Sequence, residues 1–133
     1  MKKIAIVYSD YYKEITDGLF ASFDELNNEL GYEVEKFRVA GSMEIPLKCK
    51  QLMLQGQFDA YCVYGCIIEG ETYHNFVLQD AVYQHLLGLS LEFMKPVGFG
   101  ILTVKNYQQA LDRAVGAKSR GKEALEAVNS LLI

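Results

Sequence analysis

From Phe58 to Ile68 the chain is almost entirely apolar, and this run limits the possible folds more than any other stretch. A strand with one wet face alternates apolar with polar residues. A strand without that alternation is covered on both faces and lies inside a sheet. The residues that follow, from about Phe76 to Met94, carry a long helical pattern. A strand that feeds a helix rejoins its sheet by a right-handed crossover, so the next strand runs parallel to it.

The other segments repeat this scheme. Lys3 to Ser9 is a short β-rich run, Glu33 to Val39 alternates, and Pro96 to Thr103 reads as a fourth strand. Ile15, Leu19, Phe23, Leu26 and Leu30 recur at helical spacing and form one apolar face. Gly31 ends that helix in the C′ position. Ser42 is placed to cap a short helix continuing through Leu47–Leu54, and Pro46 falls in the first turn, where its missing N–H does no harm. Asn106 and Gln109 have capping-box spacing for a helix through Ala114. Gly116 and Gly121 punctuate a loop, and Ala124, Leu125, Val128, Leu131 and Leu132 make a last amphipathic helix. Alternating strands and helices predict an α/β fold, an open parallel sheet with helices on both faces. The chain has 133 residues and no linker, repeat or low-complexity tract, so 1–133 reads as a single domain.

Open parallel sheets bind ligands beyond the carboxyl ends of their strands. Here those ends lead into Ser9–Tyr12, Ala40–Glu44, Cys66–His74 and Thr103–Asn106. The third loop joins the buried strand to the long helix, and its main-chain N–H groups suit an anion. It also carries His74, one of two histidines, a side chain able to move protons near neutral pH. His85 falls within the helical pattern, where a structural or surface role explains it. Glu44 can accept hydroxyl protons from a ligand, or simply complement a helix dipole. Arg113 falls late in its helix, where a cation is favourable in any case.

Bulk charge and cysteine count narrow the function classes. A net charge of −4 argues against nucleic acid, because tracking phosphates needs a basic stripe. No run approaches the ~18 apolar residues of a membrane span, and the first residues do not resemble a signal peptide. Three cysteines cannot pair evenly, which predicts a reduced, cytoplasmic setting. Cys62 and Cys66 share one face of their strand and lack metal-ligand spacing, so they read as buried thiols. Cys66 near His74 suggests a thiol nucleophile only weakly, because nothing orients the pair. Gly116 to Glu123 imitates a phosphate-binding P-loop but fails twice. Glu123 stands where Ser or Thr is needed, and a helix rather than a strand precedes it.

Taken in order, the motifs resemble the lumazine synthase family over nearly the whole chain. They are Gly41-Ser42-Met43-Glu44-Ile45-Pro46, Gly65-Cys66-Ile67-Ile68 followed by Gly70-x-Thr72-x-His74, Leu89-Ser90-Leu91-Glu92, Pro96-Val97-x-Phe99-Gly100-Ile101-Leu102-Thr103, and Gln109-Ala110-Leu111-Asp112-Arg113-Ala114. The resemblance implies a flavodoxin-like three-layer sandwich with a four-stranded parallel sheet. It implies condensation of 5-amino-6-(D-ribitylamino)uracil with 3,4-dihydroxy-2-butanone 4-phosphate to 6,7-dimethyl-8-ribityllumazine, phosphate and water, without cofactor or metal. It also implies a homopentamer, in some members packed into a sixty-subunit shell, with each site shared by neighbours.

Residue by residue, the resemblance gives Tyr11 the position that stacks on the pyrimidine. Ser42, Met43 and Glu44 line the ribityl and ring pocket, and Cys66, Ile67 and Ile68 offer main-chain contacts. Glu71 and Thr72 meet the phosphate, which Arg113 of a neighbour clamps. Phe99 of that neighbour closes the ring pocket, and His74 is the general acid/base. The sequence departs from the family at Asp10 and Tyr12, where the signature has arginine and asparagine, and at Glu69 and Asn75. The loop from Val115 to Gly121 is one residue shorter, so Arg120, or alternatively Lys118, takes the place of the family's lysine and Glu123 that of its acid. The stretch ahead of the first strand is shorter than in many members. A flavin- or pteridine-binding module without turnover, and a purely structural shell protein, are the rival expectations.

Overall fold

The alternation of strand and helix signals is realised in full. The structure, a computed structural model, describes residues 2–69 and 74–132, with main chain alone at 74–76. The order is β1 (Lys3–Tyr8), α1 (Lys13–Leu30), β2 (Glu33–Arg38), a 3₁₀ turn (Ser42–Glu44), α2 (Ile45–Gln55), β3 (Ala60–Ile68), α3 (His74–Phe93), β4 (Val97–Val104), α4 (Tyr107–Ala114) and α5 (Arg120–Leu132). All strand pairs are parallel, in the order β2-β1-β3-β4. The apolar run is therefore interior, as its lack of alternation requires.

Each strand divides its side chains between two cores. Ile4, Ile6, Cys62, Tyr64 and Leu102 face α1, α4 and α5, meeting Leu19, Phe23, Leu125 and Val128. Ala5, Val7, Tyr61, Val63 and Ile101 face α2 and α3, meeting Ile45, Leu52, Val82 and Leu86. Three layers result. Each large apolar side chain fully buried this way contributes about 1.5–3 kcal/mol before entropy is counted.

Local signals hold at several ends. Gly31 is left-handed at φ 80°, and its N–H caps Asn27. Asn106 accepts from the Gln109 N–H at 2.9 Å. The return bond is one residue off the expected box, since Gln109 accepts from the Lys105 N–H at 2.8 Å.

Three expectations need correction. Ser42 does not cap α2; it lies inside the 3₁₀ turn, and Glu44 takes the cap position without a side-chain bond. Pro46 does fall in the first turn. Gly121 is not in a loop but within α5, which begins four residues earlier than the apolar pattern suggests. Leu131 is exposed, so the buried face of α5 is Gly121, Ala124, Leu125 and Val128.

α5 is seated by close approaches that only glycine permits. A methyl at Gly121 would lie 2.2 Å from the Leu19 carbonyl oxygen of α1, and one at Gly98 of β4 would lie 2.3 Å from the Ala124 carbonyl oxygen. The Tyr64 hydroxyl completes the seat, donating to the Gly121 carbonyl at 2.9 Å from the middle of β3. Ser119, fully buried, donates to the Ala114 carbonyl at 2.7 Å and accepts from the Gly121 N–H at 3.1 Å.

Candidate functional site

Three of the four carboxyl-end loops converge on one cavity of about 280 Å³. Ser9 and Tyr11 reach it from the end of β1, residues 40–44 from the end of β2, Cys66 and Ile67 from the end of β3, and Leu78 from α3. Six predicted residues, Tyr11, Ser42, Met43, Glu44, Cys66 and Ile67, thus share one lining. Ile68 is not part of it. Ser9, Ala40, Gly41 and Leu78 line it without having been singled out. For Ser9 a signal existed, because it is the residue on which β1 releases the chain. For Leu78 there was none, since its place depends on how α3 crosses the sheet.

Among the described residues the lining contains Glu44 and no cation. The Glu44 carboxylate folds back toward Gly41, whose missing side chain would lie 3.2 Å from Oε2. Tyr11 and Met43 are largely exposed at the mouth. The Tyr11 ring is held edge-on by Tyr12 at 4.9 Å, and Tyr12 leans on Tyr107 of α4 at 6.2 Å. Tyr107 is in turn tied to Glu14 by a 2.7 Å hydrogen bond. An aromatic face at the mouth, apolar walls and neutral hydroxyls suit a planar heterocycle bearing neutral polar groups. Asp10, at the place of the family's arginine, accepts from Arg38 Nε at 2.7 Å across the ends of β1 and β2.

Cys66 is half-buried, and burial pushes its thiol up to about 11. A thiol raised in this way is a poor nucleophile at neutral pH, which argues against the thiol-nucleophile reading. Burial likewise pushes Cys49 and Cys62 up to about 12. All three cysteines are free, and no group of metal-ligating side chains forms among the described residues. Residues 116–119 follow α4 and residues 120–123 open α5, so a helix precedes this segment, as the argument against a P-loop requires.

The remaining predicted residues lie elsewhere. His74 opens α3 at the carboxyl edge of the sheet, and its side chain lies outside the described residues, as do Glu71 and Thr72. Arg113 is exposed in the last turn of α4, and Lys118 is exposed beyond it. Arg120 pairs with Glu123 at 3.2 Å. Phe99, on the free edge strand β4, packs edge-on against Tyr83 at 5.0 Å. Burial raises the Tyr83 phenol, partly offset by Gln79 and by the Arg120 guanidinium. Phe99 and Arg120 therefore both neighbour Tyr83, and neither lines the cavity of its own chain. His85 is exposed on α3, its Nδ1 2.7 Å from the Ala81 carbonyl.

A parallel sheet in the order β2-β1-β3-β4 with helices on both faces and a cavity across its carboxyl edge defines a flavodoxin-like α/β protein. Comparison with known proteins goes further. The family model described as 6,7-dimethyl-8-ribityllumazine synthase matches residues 1–132, and the chain belongs to that family. Relatives carrying that name include one from Corynebacterium urealyticum, 39% identical over 98% of this chain and 80% of its own. Another, from Tropheryma whipplei, is 36% identical over 95% and 80%. A third, from Methylorubrum populi, is 37% identical over 98% and 80%. Among solved structures, a short-chain flavodoxin aligns over 98% of this chain and 99% of that one, with TM-score 0.49 and 15% identity.

Proposed function

We propose that the chain is a 6,7-dimethyl-8-ribityllumazine synthase that condenses 5-amino-6-(D-ribitylamino)uracil with 3,4-dihydroxy-2-butanone 4-phosphate. Family membership supports the reaction. The observation that carries it into this chain is the cavity, in which six residues assigned to the pyrimidine substrate meet although they come from three loops. The described lining, apolar with hydroxyls and one carboxylate, supports an uncharged ribityl-bearing ring as its occupant.

In this reading His74 shuttles the protons of imine formation and phosphate elimination, a role typically worth ~10²–10⁴-fold. Glu71 and Thr72 present N–H groups to the phosphate, and Arg113 of an adjoining copy grips it with a planar fork that lysine lacks. Holding the two substrates together supplies much of the rest, up to ~7–11 kcal/mol. Phe99 and Arg120, both beside Tyr83, are then offered to the adjoining copy's ring pocket, with Lys118 and Glu123 on the same approach.

Such sharing requires a homo-oligomer, a pentamer or a shell built from pentamers. The outer faces of α2 and α3 support it. They expose Leu47, Leu54, Val77, Leu87 and Leu91, with Met94 just past the end of α3, beside an open cleft of about 530 Å³. Apolar patches of this kind mark contact surfaces. The free thiols fit a cytoplasmic setting, and no described helix is long and apolar enough to cross a membrane.

The test is to mix the two substrates with the protein and follow lumazine fluorescence. Product formation above the uncatalysed rate is expected. Tight binding of the lumazine without turnover would favour the binding-module alternative and reject an enzyme. Light scattering reports the assembly, and a monomer at working concentration would reject the shared site.

A further inference from the structure

Asp10 and Tyr12, two positions at which the chain departs from the family signature, stand on either side of Tyr11. Tyr11 itself is 81% exposed at the cavity mouth. A side chain with so little burial has no packing to select its rotamer, and ordering it on a ligand costs binding energy. Both of its neighbours, however, are tied down. Asp10 accepts from Arg38 Nε at 2.7 Å, which fastens the loop to the end of β2. The Tyr12 carbonyl accepts from the Thr16 N–H at 3.1 Å and from Thr16 Oγ1 at 3.3 Å, and the same hydroxyl lies 3.3 Å from the Ser9 carbonyl. The main chain flanking Tyr11 is thereby held to β2 and α1.

The side chains continue the support. The Tyr12 ring meets the Tyr11 ring edge-on, with centroids 4.9 Å apart and planes at 76°, a favoured aromatic geometry. Behind Tyr12 stands Tyr107, the first residue of α4, at 6.2 Å and 59°. The Tyr107 hydroxyl donates to the Glu14 carboxylate in the first turn of α1 at 2.7 Å. A bond to an ionised acceptor is stronger than one between neutral groups. Three rings and a carboxylate thus form a row from the cavity mouth to the facing starts of α1 and α4. Of these, Tyr11 alone lines the cavity. Tyr107 and Glu14 are exposed, so the row adds little to the core. What it fixes is the plane of the ring at the mouth.

We propose that Tyr12 and Tyr107, backed by Glu14, are positioning residues that hold the Tyr11 ring ready for a flat heterocycle entering the cavity. The inference rests on the function proposed above, in which Tyr11 stacks on the pyrimidine, and names what sets that ring.

A double-mutant cycle read by fluorescence titration with 6,7-dimethyl-8-ribityllumazine tests it. Tyr107→Ala is expected to weaken binding about two- to tenfold, the factor one aromatic contact carries. KM for the pyrimidine substrate rises by the same factor, while KM for the phosphate-bearing ketone stays put. Tyr107→Phe, which keeps the ring and drops the bond to Glu14, loses less. In a Tyr11→Ala background, Tyr107→Ala should have no further effect, because its influence passes through the ring already removed. Tyr107→Phe and Glu14→Gln carry the same cycle if Tyr107→Ala does not fold. A full additional loss in the Tyr11→Ala background overturns the proposal. So does a variant whose Tm falls while its lumazine affinity stays at the wild-type value. Because binding is the readout, the cycle decides the positioning role whether or not product forms. Wild-type protein that shows the coupling but makes no lumazine refutes the enzyme alone, and wild-type protein that does not bind lumazine refutes both.

Discussion

Replacing Gly121 by alanine sets two effects of similar size against each other. Alanine is the better helix former by about 1 kcal/mol in a helix interior, and by less in the first turn where this residue sits. Against that, the new methyl meets the Leu19 carbonyl oxygen at 2.2 Å, its carbon at 3.0 Å and its Cα at 3.1 Å. All three are main-chain atoms of α1, so no side-chain rotation relieves the contact. α5 must move away by roughly 1 Å, the overpacking regime that costs about 1–3 kcal/mol. The same movement stretches the 2.9 Å bond from Tyr64, worth about 1 kcal/mol net. The clash wins, with a net loss of about 1–3 kcal/mol. For 133 residues the unfolding entropy near the midpoint is about 0.28 kcal/mol/K, so Tm falls by about 4–11 °C. Circular dichroism melts of wild type, Gly121→Ala, Tyr64→Phe and the double variant measure it. Protein concentration is held fixed, because self-association would move Tm by itself. The double variant should lose less than the sum of the singles, since both changes remove one bond. A midpoint for Gly121→Ala equal to or above wild type would refute the seat described for α5.

Other outcomes follow from the site. His74→Ala should lower turnover by about 10²–10⁴-fold while ribityllumazine still binds; turnover at the wild-type level would end the acid/base assignment. Arg113→Ala should raise KM chiefly for the phosphate-bearing substrate, with Arg113→Lys only partly restoring it, and steady-state kinetics with an unchanged KM would count against the grip. Alkylation of the native thiols by iodoacetamide at pH 7.5 should be more than tenfold slower than that of free cysteine. Burial raises the Cys66 thiol to about 11, so its reactive thiolate appears only as pH climbs toward that value. A native rate matching free cysteine would show that the thiol is not shielded.

Much of the fold was legible because its signals are local or periodic. Gly31, Asn106 and the α1 stripe each state a helix end or face within a few residues, and the unbroken apolarity of β3 already makes it interior. The misses share a different cause. Ser42 has the right type and spacing for a cap, but the 3₁₀ turn ahead of α2 carries its hydroxyl away from the helix start. Gly121 resembles loop punctuation until the α1 main chain beside it is known. Leu131 fits the apolar period of α5, which outruns the layer it covers. At the site, sequence alone located the carboxyl-end loops and marked His74. The roles of Tyr11, Met43, Phe99 and Arg113 came from family resemblance. That Leu78 lines the cavity depends on how α3 crosses the sheet, which no pattern along one chain encodes.

Tyr64 and Gly65 are neighbours on β3 that serve opposite tenants. Tyr64 points into the layer that anchors α5, and Gly65 turns toward the hydroxyls of Ser9 and Ser42, two residues of the cavity lining. One step along the strand thus separates architecture from selectivity. Libraries that randomise the exposed lining at 11 and 43 can retune which ligand is accepted with little disturbance to the scaffold behind it. Changes at 62 or 64 should spoil expression well before they alter ligand choice.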